Sequence, residues 1–107
     1  MNAVYIVLVT APTKEIATAM AKELVEKKLV ACINIIPGVS SVYFWEGQIQ
    51  EESEVLMFMK STRERKAELQ DAVKKLHPYQ TPEFIVISPE SIEPTYERWV
   101  FDCCKSR

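Results

Sequence analysis

The sequence predicts an α+β fold, with helices laid on one side of a four-stranded antiparallel sheet, and three observations carry that expectation. The strand candidates, Ala3 to Thr10, Leu29 to Ile36, Val55 to Met59 and Phe84 to Ile87, are apolar at successive positions rather than at alternate ones. Two amphipathic helical stretches separate them, and a turn signal at Glu46-Gly47 sits inside a long extended segment. Strand side chains alternate between faces, so strands apolar on both sides need two covers. In Leu29 to Ile36, Leu29, Ala31, Ile33 and Ile35 share one side, and Val30, Cys32 and Ile36 share the other. A chain of 107 residues has too few helices for both faces, so another copy is the expected second cover.

The elements follow in order. The first strand runs from about Ala3 to Ala11 and stops at Pro12. Thr13 caps the next helix, with Glu15 in the first turn beside the positive end of the dipole. Ile16, Ala17, Met20, Ala21, Leu24 and Val25 follow the 3-4 spacing of a buried stripe, while Lys14, Lys22, Glu23, Glu26 and Lys27 take the other side. The second strand opens at Leu29 after almost no loop. Pro37-Gly38 breaks or bends it, and Ser40 to Trp45 resumes extended character, with Val42 and Phe44 on one side and Tyr43 and Trp45 on the other. Glu46-Gly47 makes a hairpin turn. The return strand starts polar, from Gln48 to Glu54, and becomes apolar from Val55 to Met59.

Ser61-x-x-Glu64 reads as a capping box opening a second helix. Leu69, Ala72, Val73 and Leu76 form its apolar stripe, and it ends before His77-Pro78, because a residue ahead of proline is pushed out of the helical region. A fourth strand covers about Glu83 to Ser88. A final helix carries Ile92, Tyr96, Trp99, Val100 and Cys103 on one face, with Cys104 expected at the surface. The order β-α-β-β-α-β plus a terminal helix is the ferredoxin-like arrangement, in one domain over 1–107.

Composition removes several classes of function. A formal net charge of −2 leaves no basic surface for nucleic acid. The strand Val55 to Lys60 lacks the exposed aromatics and glycines of an RNA-binding sheet, and no glycine-rich phosphate cradle follows the first strand. No stretch reaches the ~18 apolar residues a membrane helix needs. Met1-Asn2 leads straight into a strand, which argues against a secretory signal. Three cysteines, an odd number, point to a reducing compartment, the cytoplasm. No nucleophile stands with a base, so no enzymatic activity is expected.

Two blocks are recognisable. Leu29 to Gly47, reading LVACINIIPGVSSVYFWEG, and His77 to Glu83, reading HPYQTPE, resemble the signatures of the CutA family, the divalent-cation tolerance proteins. Lys60-Ser-Thr and Tyr96-x-x-Trp99 fall where that family has similar residues. The resemblance runs from about Ala3 to Val100 and implies a cytoplasmic homotrimer of ferredoxin-like subunits, with the hairpins at the interfaces. It implies a link to copper and other divalent ions, and a trimer like that of the PII signalling proteins.

His77 is the only histidine, and imidazole suits copper(II), zinc or nickel. Glu83, six residues on across a loop stiffened by Pro78 and Pro82, offers a carboxylate. His77 and Glu83 are therefore the candidate metal ligands, with copper(II) the first candidate ion. Some relatives carry a cysteine at the end of the first strand, where this chain has Val9. Cys32 fits a small core residue, and Cys103 and Cys104 offer thiols near the end of the chain. Glu46, Glu51, Glu52 and Glu54 read first as a solvated hairpin edge that discourages aggregation, with weak attraction for divalent cations, strengthened where a three-fold axis gathers copies, as the second reading. Tyr43, Trp45, Lys60 and Tyr79 are the candidates for lining a cleft that takes a small anionic ligand or protein partner, the alternative to a metal site. Ile33, Ile35, Phe44 and Trp45 are the candidate oligomer contacts.

Overall fold

The structure, a computed structural model, describes residues 1–105. Its elements are β1 (Val4–Ala11), α1 (Lys14–Glu26), β2 (Cys32–Trp45), β3 (Gln48–Thr62), a single 3-10 turn (Arg63–Arg65), α2 (Lys66–Leu76), β4 (Ile85–Ile87) and α3 (Pro94–Cys103). The four strands form one sheet in the order β2-β3-β1-β4, every neighbouring pair antiparallel. This is the ferredoxin-like α+β fold expected from the pattern of elements.

Cross-strand partners share a face, so the register sorts the side chains. Ile33, Met59, Val7 and Val86 form one row, and Ile35, Met57 and Val9 the next. Both rows pack against Ala17, Met20 and Leu24 of α1 and Leu69 and Val73 of α2. Leu24 is fully buried there. Truncating it to alanine costs about 2–5 kcal/mol, the usual range for a filled core position.

The opposite face carries the rows Cys32-Lys60-Ile6-Ile87, Asn34-Phe58-Leu8-Ile85 and Ile36-Leu56-Thr10. Its far end is covered by α3, where Val100 and Cys104 pack against Val4. Glu93 caps α3 by accepting a hydrogen bond from the Thr95 N–H (2.6 Å), and Pro94 occupies the first turn. Beyond α3 the face stays open: Ile6, Leu8, Leu56 and Phe58 are half-buried and Ile36, Ile85 and Ile87 are exposed.

The boundaries shift for identifiable reasons. Pairing of the second strand begins at the Ala31 N–H, which donates to Lys60 O (2.8 Å). Leu29 and Val30 lie before it as buried turn residues, with the Leu29 N–H returning to Leu24 O (3.1 Å). Ser61 does not cap a helix. Its buried hydroxyl donates to Leu29 O (2.7 Å), β3 runs on to Thr62, and α2 starts at Lys66 with no side-chain cap. The cap-like spacing is overridden because the same hydroxyl ties two neighbouring segments together. Arg65, 8% exposed, donates to Lys28 O (3.2 Å) and Lys27 O (3.4 Å), so it serves the carbonyl-rich end of α1. β4 has three residues rather than six, leaving Glu83 in the preceding loop. On α3 the stripe is rotated: Val100 and Cys104 are buried, Cys103 is half-buried, and Tyr96 and Trp99 are exposed.

β2 and β3 continue past the helices as an arm that gives the chain extents of 44 × 27 × 22 Å. The arm closes at Glu46 and Gly47, which adopt φ of 50° and 80°, as a two-residue turn of this hand requires. Between Ile36↔Leu56 and Val39↔Glu54 two β2 residues, Pro37 and Gly38, oppose one residue of β3. This bulge reverses the alternation of β2. Before it even-numbered residues face the open side; after it odd-numbered residues do. Tyr43 and Trp45 therefore extend the open face, while Val42, Phe44 and Ile49 lie on the other side, 66%, 69% and 76% exposed.

Candidate cleft at the base of the arm

A cleft of about 780 Å³ lies where the arm meets the loop after α2. β2 contributes Tyr43 and Trp45, β3 contributes Glu52 and Glu54, and the loop contributes Tyr79 and Glu83. Both glutamates are on the cleft side because they are even-numbered β3 residues, in line with Leu56 and Phe58.

Two tyrosine–glutamate pairs organise it. The Tyr79 hydroxyl donates to Glu54 (2.7 Å), and the Tyr43 hydroxyl donates to Glu52. Glu54 is 8% exposed, far below a free surface carboxylate. Burial first, and then the bond to Glu54, hold the Tyr79 phenol well above its ordinary pKa. The Tyr43 phenol is raised chiefly by its bond to Glu52. Burial and the nearby Glu54 charge raise the Glu83 carboxyl above the usual carboxylate range. Among the described residues, every charged side chain lining the cleft is a carboxylate.

His77 supports this wall from behind. It ends α2, is 7% exposed, and its ring centre lies 4.6 Å from that of Tyr79, the two planes tilted at 52°. Its Nε2 lies 2.7 Å from Thr10 O, and its Nδ1 accepts from the Tyr79 N–H at 3.0 Å. A carbonyl partner requires a proton on Nε2, and an amide N–H partner requires a lone pair on Nδ1. Both ring nitrogens are thus engaged, and no lone pair is left for a metal. Among the described residues no group of three or more His, Cys, Asp and Glu side chains is placed to hold an ion. The copper set expected from His77 does not fit this geometry. Val9 is fully buried on the helix side, facing away from the cleft.

Of the four expected cleft residues, Tyr43, Trp45 and Tyr79 line it and Lys60 does not. Lys60 is six residues from Glu54, about 20 Å along the strand. There its Nζ donates to Asn34, lies 3.9 Å from Cys32 Sγ and sits 5.2 Å from the centre of the Phe58 ring. Cys32 accordingly lies on the open face rather than in the core. Ile33 and Ile35 face the helices and are half-buried against the core, whereas Phe44 and Trp45 are exposed on the arm. Glu54, which sequence patterning assigns first to a solvated edge, is instead buried in the cleft wall beneath the Tyr79 hydroxyl. Its even parity with Leu56 and Phe58 was the available signal.

Comparison with known proteins now decides the family. The family described as CutA1 divalent ion tolerance protein matches residues 5–103. The chain belongs to that family. It is 40% identical over 95 residues to the divalent-cation tolerance protein CutA of Thermus thermophilus, covering 89% of this chain and 92% of that one. It is also 40% identical over 98 residues to protein CutA of mouse, where it spans 92% of its own length and 55% of the mouse protein. The divalent ion tolerance protein CutA1 of Ehrlichia chaffeensis has a crystal structure that superposes with a TM-score of 0.92 at 33% identity, covering 98% of each chain. The structure of the periplasmic divalent cation tolerance protein CutA of Archaeoglobus fulgidus gives 0.92 at 37% identity, covering 95% of this chain and 99% of that one. Membership in the family explains the two signature blocks: one builds β2 with its bulge, and the other builds the cleft loop.

Proposed function

We propose that this chain serves divalent-cation tolerance without catalysis, as a cytoplasmic homotrimer whose cleft draws divalent cations, copper(II) among them, to its carboxylates. The observation that carries this reading is the cleft's one-signed lining, with Glu52 and Glu54 from β3 and Glu83 from the loop after α2 facing the same space. Focusing of one sign of charge in a concave site raises the local concentration of the opposite ion. Neighbouring copies on the open sheet face complete the coordination that one subunit lacks. Three free cysteines are in keeping with a reducing compartment. An anionic ligand finds no basic partner among the described residues that line the cleft, and Lys60 stands too far off to supply one.

Calorimetric titration of the oligomer with copper(II) and zinc(II) tests this, using wild type, His77→Ala, and Glu54→Gln combined with Glu83→Gln. The double variant should lose binding, and folded His77→Ala protein should keep it. Binding indifferent to the glutamates, or lost only with His77, would refute the assignment.

A further inference from the structure

The cleft has a second property that a bare ion does not use: three of its walls are aromatic. We propose that it also binds a small organic cation of the aliphatic di- or polyamine class, held between the Tyr43, Trp45 and Tyr79 side chains and the carboxylates of Glu52, Glu54 and Glu83.

This inference rests on the reading of the cleft as a cation site, and four features of the cleft extend it to an organic cation. Its volume, about 780 Å³, lies within the range of small-molecule sites and far exceeds what one metal ion fills. The carboxylates are spread rather than grouped, so they do not chelate one ion within the subunit. Spread carboxylates suit a chain of ammonium groups separated by methylenes. Three aromatic rings supply apolar surface for those methylenes and negative ring faces for the ammonium groups. Finally, the two tyrosine hydroxyls hold Glu52 and Glu54 in place before any ligand arrives, which reduces the ordering cost of binding. Among the described residues no lysine, arginine or histidine lines the cleft to compete for the same carboxylates.

The test is titration of the intact oligomer with spermidine and putrescine, followed by tryptophan fluorescence in a Trp99→Phe background so that Trp45 reports. The neutral 1,4-butanediol serves as the shape control. Saturable binding of spermidine, tighter than putrescine and absent for the diol, is the expected result. Glu54→Gln should weaken it about tenfold or more, as expected for loss of a charge-assisted bond. Trp45→Leu, which removes the fluorescent reporter and is therefore followed by calorimetry, should weaken it about fivefold, in line with one cation–π contact. No saturable amine binding while zinc(II) still binds overturns this proposal and leaves the tolerance reading standing. Amine binding without any divalent-ion binding upholds it and removes the tolerance reading from this cleft. Equal binding of the diol, or indifference to Glu54→Gln, overturns it as well.

Discussion

His77→Ala is the substitution whose cost follows most directly from the geometry. The imidazole is 7% exposed and spans two backbone groups, Thr10 O at 2.7 Å and the Tyr79 N–H at 3.0 Å. Each hydrogen bond contributes about 1 kcal/mol net, and a buried backbone group left without a partner costs about 1–3 kcal/mol. Loss of the ring contact with Tyr79 adds about 0.5–1 kcal/mol. With water reaching one of the two groups, the sum is about 3 kcal/mol. Urea unfolding followed by far-ultraviolet circular dichroism, at one fixed protomer concentration, reads it as a midpoint lowered by more than about 1 M. A loss below about 1 kcal/mol would mean that the ring is not the pin described here, and its nitrogens would again be free to ligate.

Three further outcomes follow from other parts of the molecule. Glu83 has a folded pKa above its unfolded one, so its contribution to stability is present below the unfolded value and is lost as pH rises through the folded one. Glu83→Gln should therefore match wild type at about pH 4 and melt higher at pH 7; equal melting at both would contradict the burial argument. Burial pushes the Cys104 thiol up to about 11, so native treatment with iodoacetamide at pH 8 should leave Cys104 unmodified after Cys103 has reacted, as peptide mass spectrometry would show. Equal rates would contradict its packing against Val4. Ile85 and Ile87 are 49% and 44% exposed on the open face, so Ile85→Asp with Ile87→Asp should leave subunit circular dichroism intact and lower the sedimentation coefficient toward that of one subunit. An unchanged oligomer would place the interface elsewhere.

The order of elements was legible because it rests on long signals: the stripe of Ala17, Met20 and Leu24, the Glu46-Gly47 turn, and the block at Pro78. What was not legible depends on partners distant in sequence. Ser61 carries a genuine capping-box spacing, yet Leu29 O, 32 residues away, claims its hydroxyl. The side that each β2 residue faces could not be read through Pro37-Gly38 without knowing how many β3 residues oppose them. Ile33 and Ile35 precede the bulge, and both faces of that stretch are apolar, so nothing local to it told which face the helices would take. The imidazole of His77 points to a metal by its chemistry alone, and only the fold reveals that Thr10 O and the Tyr79 N–H occupy both nitrogens. Glu54 was hidden by its neighbours: three glutamates within four residues look like a solvated edge until Tyr79 is laid over one of them.

The bulge at Pro37-Gly38 separates what the arm offers from where the arm goes. Removing Gly38 leaves Val39 opposite Glu54, so Tyr43 and Trp45 stay on the cleft side. What changes is direction, because a bulge bends and twists its strand. A one-residue difference in length at this point thus acts as a steering adjustment. It swings the hairpin toward a new neighbour without altering the side chains presented on arrival, so reach and recognition can vary independently in this fold.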